Sequence, residues 1–397
     1  MKNTTEYKFT AIIRFLLLII FTLFLSNLSA QTTGVDSLKI ESFIKRVENT
    51  LIPPKSDSSQ VTWSISERME FYKIPAVSVA IIDNYQLNWA KAYGWADKEA
   101  KIPATTETLF QAASISKSLN SVGILNWAES NNIDLNTDIN TYLKSWKLKN
   151  RKKAKGKEIS ISNLLSHTAG LSGHGFNGYK VGEQIPTTEQ ILDGKKPSNS
   201  KKIKSISQPN KVFKYSGSGV MITQLMLSQN TGIAYSTYMK KTILNPLGMT
   251  ESFFSQPSPK DKGLATAYWA QGTPLDGKYH IYPEMAAAGL WTNPTELSKY
   301  IIEMQKSLKG ESNILLSQEM AKKMLSPHLK DGITGLGVFF ENLNGRDYFT
   351  HGGSNEGFKC YYYGSIEDGK GIVIMTNSEN FDIIPEIIRS IIKVYEW

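Results

Sequence analysis

Ala76-Val-Ser-Val-Ala-Ile-Ile-Asp83 leads, across Asn84, into a second run from Gln86 to Tyr93. Two runs rich in β-branched and aromatic residues around a short Asp/Asn turn predict a β-hairpin. Gly335 to Glu341 and Arg346 to Thr350 read as strands as well, and Gly357 to Ser365 and Gly371 to Thr376 form a second hairpin across Glu367-Asp-Gly-Lys370. From about Pro103 to Leu325 the pattern is mainly helical and loop-rich. A helix-like segment from Asp36 to Thr50 and a Pro/Ser-rich patch at Pro53 to Ser59 precede the first hairpin. The last segment, Ile383 to Tyr395, places Ile384, Ile387, Ile388, Ile391, Ile392 and Val394 on one dominant helical face. The expectation is an α+β fold: one antiparallel sheet flanked by N- and C-terminal helices, with a mainly helical region over 100–330 inserted in the sheet's sequence.

The composition fits a globular chain. Its 397 residues are 41% hydrophobic and 20% charged, which excludes disordered and collagen-like classes. One cysteine, Cys360, excludes an internal disulfide framework and any multi-thiolate metal site. The formal charge of +9 is compatible with nucleic acid, an anionic membrane face or solubility alone. Its densest part is Lys144 to Lys157, with eight Lys or Arg residues around Trp146. Nucleic-acid binding would want more aromatic interleaving and a known module, so none is expected. A solvated loop and a patch meeting an anionic cell-envelope surface or substrate both remain open.

Lys2, Lys8 and Arg14 precede an apolar run from Phe15 to Leu25, then Ser26-Asn27-Leu28-Ser29-Ala30. That is the layout of a secretory signal over 1–30 with cleavage after Ala30, and it predicts export to the periplasm or the exterior. Leu28 is a poor residue for the small position of a cleavage site. Retention as an anchor is the alternative, although the strictly apolar stretch falls short of the roughly 20 residues a span needs. No later stretch reads as a membrane span.

Ser114-Ile-Ser-Lys117 is the first candidate for chemistry. At the start of a helix, a serine and a lysine three residues on share a face, within about 5–6 Å, so the amine can take the hydroxyl proton. The spacing alone is weak, because Ser42-Phe-Ile-Lys45 and Ser198-Asn-Ser-Lys201 also match it. Its company is more specific. Thr108-Leu-Phe-Gln-Ala-Ala-Ser-Ile-Ser-Lys117 is followed by Leu164-Leu-Ser-His-Thr-Ala-Gly-Leu171, Phe213-Lys-Tyr-Ser-Gly217, Asn245-Pro-Leu-Gly-Met249 and His351-Gly-Gly-Ser354.

In that order and spacing the blocks closely resemble the penicillin-recognising serine hydrolases of the class C β-lactamase-like family, which includes D-alanyl-D-alanine carboxypeptidases, D-aminopeptidases and carboxylesterases. The resemblance runs from about Ile74 to the C-terminal helix. It implies a β-lactamase/transpeptidase-like fold for 31–397 and a hydrolase without cofactor or metal. Ser114 then resembles the nucleophile that forms an acyl-enzyme, Lys117 the amine that activates it, and Tyr215 the tyrosine that passes a proton to the leaving group. His351 and Gly353 resemble the substrate-binding strand, whose glycines would let a substrate lie against the backbone. The oxyanion donors map to the N–H groups of Ser114 and Ser354, worth roughly 2.7–4 kcal/mol each. His167 is expected to hold a loop rather than to react. Tyr235-Ser-Thr237 has the same local form as the tyrosine block but reads as plain helix. His174, His280 and His328 show no metal-ligand spacing.

Two departures bear on substrate. Gly217 stands where β-lactamases carry an asparagine amide, and His351 replaces a lysine, exchanging a permanent charge for one expected to vary near neutral pH. Both shift the expectation away from β-lactam hydrolysis, toward an exported serine hydrolase of esters, amides or D-amino-acid peptides. The alternatives are a penicillin-binding protein or β-lactamase acting on β-lactams or peptidoglycan, and an envelope binding protein without turnover.

Overall fold

The computed structural model describes residues 37–53, 62–149, 151–259, 262–330 and 332–397, so the expected signal segment and most of the Pro/Ser patch lie outside the described residues. A helix over 37–48 (α1) and α2 (Ile65–Tyr72) precede the first hairpin, which pairs β1 (Ala76–Asp83) with β2 (Gln86–Asp97). Asn84 and Tyr85 at its tip have φ of 51° and 60°. Two consecutive positive φ values are what a type I′ turn requires.

Short β3 (Ile102–Pro103) and β4 (Phe110–Gln111) follow, and then a middle region of α3 (Ser116–Ser130), α4 (Ile161–Leu165), β5 (Tyr179–Lys180), α5 (Thr188–Asp193), α6 (Gly217–Thr231), α7 (Tyr235–Met239), β6 (His280–Ile281), α8 (Met285–Ala288), β7 (Trp291–Thr292), α9 (Pro294–Lys309) and α10 (Gln318–Met324). The chain then returns to the sheet through β8 (Phe339–Leu343), β9 (Arg346–Asn355), β10 (Phe358–Ser365) and β11 (Gly371–Thr376), and ends in α11 (Ile383–Tyr395). The seven-stranded sheet has the order β3-β2-β1-β11-β10-β9-β8 and is antiparallel throughout. Its centre is the pairing of β1 with β11, from Val77 opposite Thr376 to Ile82 opposite Gly371, which joins the two hairpins across the inserted middle.

The period of two in a strand, with both faces covered, explains why β1 is apolar at all but Ser78 and the terminal Asp83. Val77, Val79 and Ile81 join Ile372 and Ile374 in a core with Ile65, Met69, Ile384, Ile387 and Ile391 of α2 and α11. Ala76, Ala80 and Ile82 face the other way, into the larger core with Leu119, Ile301, Val373 and Met375. Under α11 the Arg68 guanidinium donates from Nε and Nη2 to the two Glu386 oxygens at 2.7 Å each, so the buried charge is paired.

Two expected strand boundaries move. Residues 335–338 are not strand: Leu336 N–H donates to the Met324 carbonyl (3.0 Å), Gly337 N–H to the Leu165 carbonyl (2.9 Å), and Gly337 has φ 79°. The helical middle takes those backbone groups, and pairing with β9 begins only at Phe339. Conversely β9 runs past Thr350 to Asn355 and carries His351-Gly-Gly-Ser354 within it. Helix α3 is buried on nearly every side, and two of its buried polar residues pair with neighbouring segments, Ser118 Oγ with the Gly337 carbonyl (2.8 Å) and Asn120 Nδ2 with Thr223 Oγ1 (3.1 Å). Among the described residues no helix is long and apolar enough to cross a membrane.

Candidate active site

Ser114 sits in a 3₁₀ turn, Ala113–Ile115, that runs into α3. The residue before it, Ala113, is left-handed at φ 49°, a conformation that costs a non-glycine residue about 1–3 kcal/mol. Its neighbours hold it there. Ala112 N–H donates to the Leu290 carbonyl (2.8 Å), Ser116 Oγ donates to the Ala113 carbonyl (2.6 Å), and Leu290 N–H donates back to Ser116 Oγ (3.0 Å).

One helical turn on, Lys117 is 3% exposed and has no ion-pair partner among the described residues. Its Nζ lies 2.9 Å from Ser114 Oγ and 2.6 Å from the Ala287 carbonyl. That carbonyl belongs to the four-residue helix α8, whose last C=O groups have no partner within the helix. Lys117 takes one and Asn355 Nδ2 of β9 takes the next, that of Ala288, at 3.1 Å. An ammonium would donate to both Ser114 and Ala287. A neutral amine in the same place keeps the Ala287 bond and turns its lone pair to the serine hydroxyl.

Tyr215 enters from the segment ahead of α6. The helix is capped by Ser216, whose Oγ accepts from Gly219 N–H (2.9 Å) and donates to the Ser172 carbonyl (2.8 Å). His167 grips both sides of the tyrosine: its carbonyl accepts from Lys214 N–H (2.8 Å) and its Nδ1 from Ser216 N–H (3.2 Å). The His167 and His174 rings lie 4.3 and 4.8 Å from the Tyr215 ring, and Lys117 Nζ is 5.1 Å from its centre. Burial, helped by the Lys117 charge, holds the His167 imidazole well below its ordinary range and therefore neutral.

The third wall is β9. The glycines of its motif are set by packing, which corrects the expected open substrate path. A Cβ on Gly353 would stand 2.3 Å from both the Ala112 carbonyl and Cys360 Sγ, and one on Gly352 would stand 2.8 Å from the Tyr361 ring. Gly353 thus lets the strand close on the backbone behind Ser114. His351 is buried, with Nδ1 donating to the Gly352 carbonyl at 2.7 Å. Burial, and then the Lys117 charge, pushes its imidazole down to about 3. The charge expected to vary near neutral pH is therefore absent, and His351 stays neutral there. A cation does reach this wall: Lys359 Nζ donates to Ser354 Oγ at 2.8 Å and pairs with Glu379.

Ser114, Lys117, Tyr215, His351, Gly353 and Ser354 line a single cleft of about 650 Å³. Gly217 does not line it. Gly217 is buried at the first position of α6, donates its N–H to the His174 carbonyl (3.1 Å), and a Cβ there would meet that carbonyl and the Phe176 ring at 2.9 Å. The loop carrying His174 and Phe176 covers the position, and these two side chains line the cleft instead. Sequence reading missed both, and missed Ala287, whose contribution is a backbone carbonyl with no side-chain signature. Tyr235 lies elsewhere, buried with its hydroxyl donating to Asn120 Oδ1 at 3.1 Å. Cys360 is buried behind Ala112, its thiol pushed up by burial. Among the described residues no group of three or more His, Cys, Asp or Glu is placed to hold a metal.

A hydroxyl and an amine in contact beneath an antiparallel sheet edge, with a tyrosine over them, define the β-lactamase/transpeptidase-like class. The family model described as Beta-lactamase matches residues 64–387, and the chain belongs to that family, serine hydrolases of the β-lactamase and penicillin-binding-protein type. Protein flp of Staphylococcus aureus (strain N315) is 24% identical over 84% of this chain, and the chain spans 66% of that relative's length. The octameric penicillin-binding protein homologue from Pyrococcus abyssi superposes with a TM-score of 0.69 at 23% identity, covering 84% of this chain and 76% of its own. D-amino acid amidase from Ochrobactrum anthropi SV3 superposes with a TM-score of 0.68 at 19% identity, covering 90% and 98%. These two likenesses are of fold.

Proposed function

We propose that the protein is an exported serine hydrolase that cleaves an ester or amide bond through an acyl-enzyme on Ser114. The observation that carries this reading is the 2.9 Å contact between Lys117 Nζ and Ser114 Oγ, with the amine oriented by the Ala287 carbonyl. In the acylation step the Lys117 amine accepts the Ser114 proton while Oγ bonds to the substrate carbonyl carbon. The resulting oxyanion is met by the N–H groups of Ser114 and Ser354. Tyr215, ringed by His167, His174 and Lys117, relays the proton to the departing oxygen or nitrogen, and water then hydrolyses the acyl-enzyme. Because His167 and His351 are neutral, Lys117 supplies the charge that moves during the cycle.

The covered position at Gly217 supports esters, amides or D-amino-acid peptides over β-lactams. An asparagine amide there would have no room to point at a substrate. Export rests on the residue pattern of 1–30.

The test pairs a fluorophosphonate adduct, read by intact mass, with a turnover profile over p-nitrophenyl esters, D-amino-acid amides, D-alanyl peptides and nitrocefin. A single adduct and turnover of an ester, amide or peptide are expected, with nitrocefin the poorest substrate. No adduct with any acylating agent refutes the hydrolase reading. A stable adduct without turnover of any substrate assigns the protein to penicillin-binding or sensing.

A further inference from the structure

A second cleft, of about 860 Å³, opens beside the first, and the two share Gly175 and Phe176 as a common wall. Its walls come mainly from three separate stretches of chain, with Ser218 of α6 as a fourth. Lys152 and Lys153 come from the basic run, Lys201, Lys202 and Lys204 from the stretch after α5, and the loop at 172–177 forms the side toward Tyr215. Among the described residues no aspartate or glutamate lines it. All five lysines are exposed, and only Lys202 has a carboxylate partner among the described residues, Asp193 at 3.5 Å. Four like charges around one cleft, none with a carboxylate partner among the described residues, raise the local concentration of anions.

The cleft is tied together by its backbone. Lys153 N–H donates to Ser205 Oγ (3.0 Å), Lys204 N–H donates to Ser172 Oγ (3.0 Å), and Ser172 N–H donates to the Lys204 carbonyl (2.9 Å). Ile206 N–H closes onto the Gly170 carbonyl at 2.8 Å. The loop that carries Lys204 is therefore hydrogen-bonded to the loop that carries His174 and Phe176 into the Ser114 cleft. On the far side of that loop Ser218, in the first turn of α6, donates its N–H to the Gly173 carbonyl (3.1 Å) and lines the lysine cleft, while Tyr215 just before the helix lines the other. Phe176 and Ile206 supply an apolar floor for a methylene chain, and the lysines supply partners for charge at its end.

We propose that the lysine cleft is an extension of the substrate site that receives the carboxylate-bearing arm of an acyl donor whose scissile carbonyl lies at Ser114. This rests on the hydrolase reading and narrows its substrate class to acyl donors with negative charge several bonds from the reacting carbon. Lys152 and Lys153 of the basic run thereby become specificity machinery rather than part of a solvated loop.

The test compares p-nitrophenyl monoesters of adipic, suberic and sebacic acid, carrying a free terminal carboxylate, with the same esters carrying a terminal carboxamide. Wild-type protein is expected to favour the longer acids over their amides by about tenfold in kcat/KM at low salt. The preference should shrink toward unity in 0.5 M NaCl, where the screening length falls to a few ångströms. It should also vanish in the combined Lys152→Gln, Lys153→Gln, Lys201→Gln, Lys204→Gln variant, whose turnover of the amides is unchanged. A Lys240→Gln, Lys241→Gln, Lys322→Gln, Lys323→Gln variant, whose four exposed lysines line neither cleft, controls for net charge and should keep the preference. Equal turnover of acids and amides by wild-type protein overturns the cleft proposal and leaves the hydrolase intact. A preference that survives the four-lysine variant, or disappears equally in the control, also overturns it. No turnover of either series, with no Ser114 adduct, overturns the hydrolase reading instead.

Discussion

Ser42 and Lys45 stand one helical turn apart on α1, both exposed, and Lys45 Nζ lies 3.8 Å from Glu41 Oε1. Ser114 and Lys117 have the same spacing, yet Lys117 is buried against a carbonyl and a serine hydroxyl with no carboxylate beside it. The third copy of the pattern, Ser198 to Lys201, is not on a helix at all: Ser198 is buried with its Oγ taken by Ser200 N–H, and Lys201 projects into the lysine cleft. Four letters are therefore the smaller part of the signal. What distinguishes the middle copy is a left-handed residue ahead of it, a sheet strand behind it, and a second polymer segment that supplies a carbonyl for the amine.

The largest effect that could break this comparison is removal of the hydroxyls in turn. Ser114→Ala is expected to lose about a millionfold in kcat and all labelling by fluorophosphonate, as loss of a nucleophile does. Ser42→Ala should change neither. The amines come next. Lys117→Ala should lower kcat/KM by about 10²–10⁴, the range of a positioned acid–base group, with little change in thermal midpoint, whereas Lys45→Ala should be silent by both measures. Normal turnover by the Lys117 variant would remove the lysine from the mechanism.

A smaller effect probes the backbone behind the serine. In Gly353→Ala the added Cβ would approach the Ala112 carbonyl and Cys360 Sγ to 2.3 Å, so β9 or the 3₁₀ turn has to shift. The turn and the Ser354 N–H move apart together, and kcat is expected to fall about 100-fold, the loss seen when one oxyanion donor is misplaced. The overpacking should also cost about 1–3 kcal/mol in a urea titration. Gly345→Ala serves as the contrast for added bulk, since nothing lies within 4 Å of a Cβ there, although its φ of 84° strains any side chain.

How much of this was legible beforehand follows from the same physics. The hairpins were readable because β1 and β11 are the central pair, buried on both faces, so that their residues are mostly apolar, with Val and Ile recurring along both. The start of β8 was not, because Leu336 and Gly337 give their N–H groups to Met324 and Leu165, which are remote in sequence. Ser114, Lys117 and Tyr215 were nameable as side chains in motifs. Ala287 offers only a carbonyl, and Phe176 enters by covering Gly217, so neither leaves a mark that one sequence can show. The behaviour of His351 was misjudged because its motif says nothing of burial. A histidine at a solvent-facing strand edge would titrate near 6.5, but this one is 3% exposed and faces the Lys117 charge.

That burial supplies the smallest and most specific test. The folded-state value for His351 lies at about 3 against an ordinary 6.5, so as pH falls the unfolded chain takes up a proton that the folded one refuses. Its contribution to stability is thus complete above pH 6.5 and is lost progressively as pH falls toward 3, with a slope of about 1.4 kcal/mol per pH unit. His167, depressed in the same direction by burial and by Lys117, adds a parallel slope. Urea titrations at pH 7, 6 and 5 should therefore show His351→Gln destabilised most at pH 7, with a gap to the wild type that narrows as pH falls. Burial, the larger cause of both shifts, remains in Lys117→Ala, so that variant should keep the acid slope over this range, and Lys45→Ala should reproduce the wild-type curve. Equal slopes in all four proteins would mean that His351 and His167 titrate normally in the folded state, and that the Lys117 wall is wetter than its packing shows.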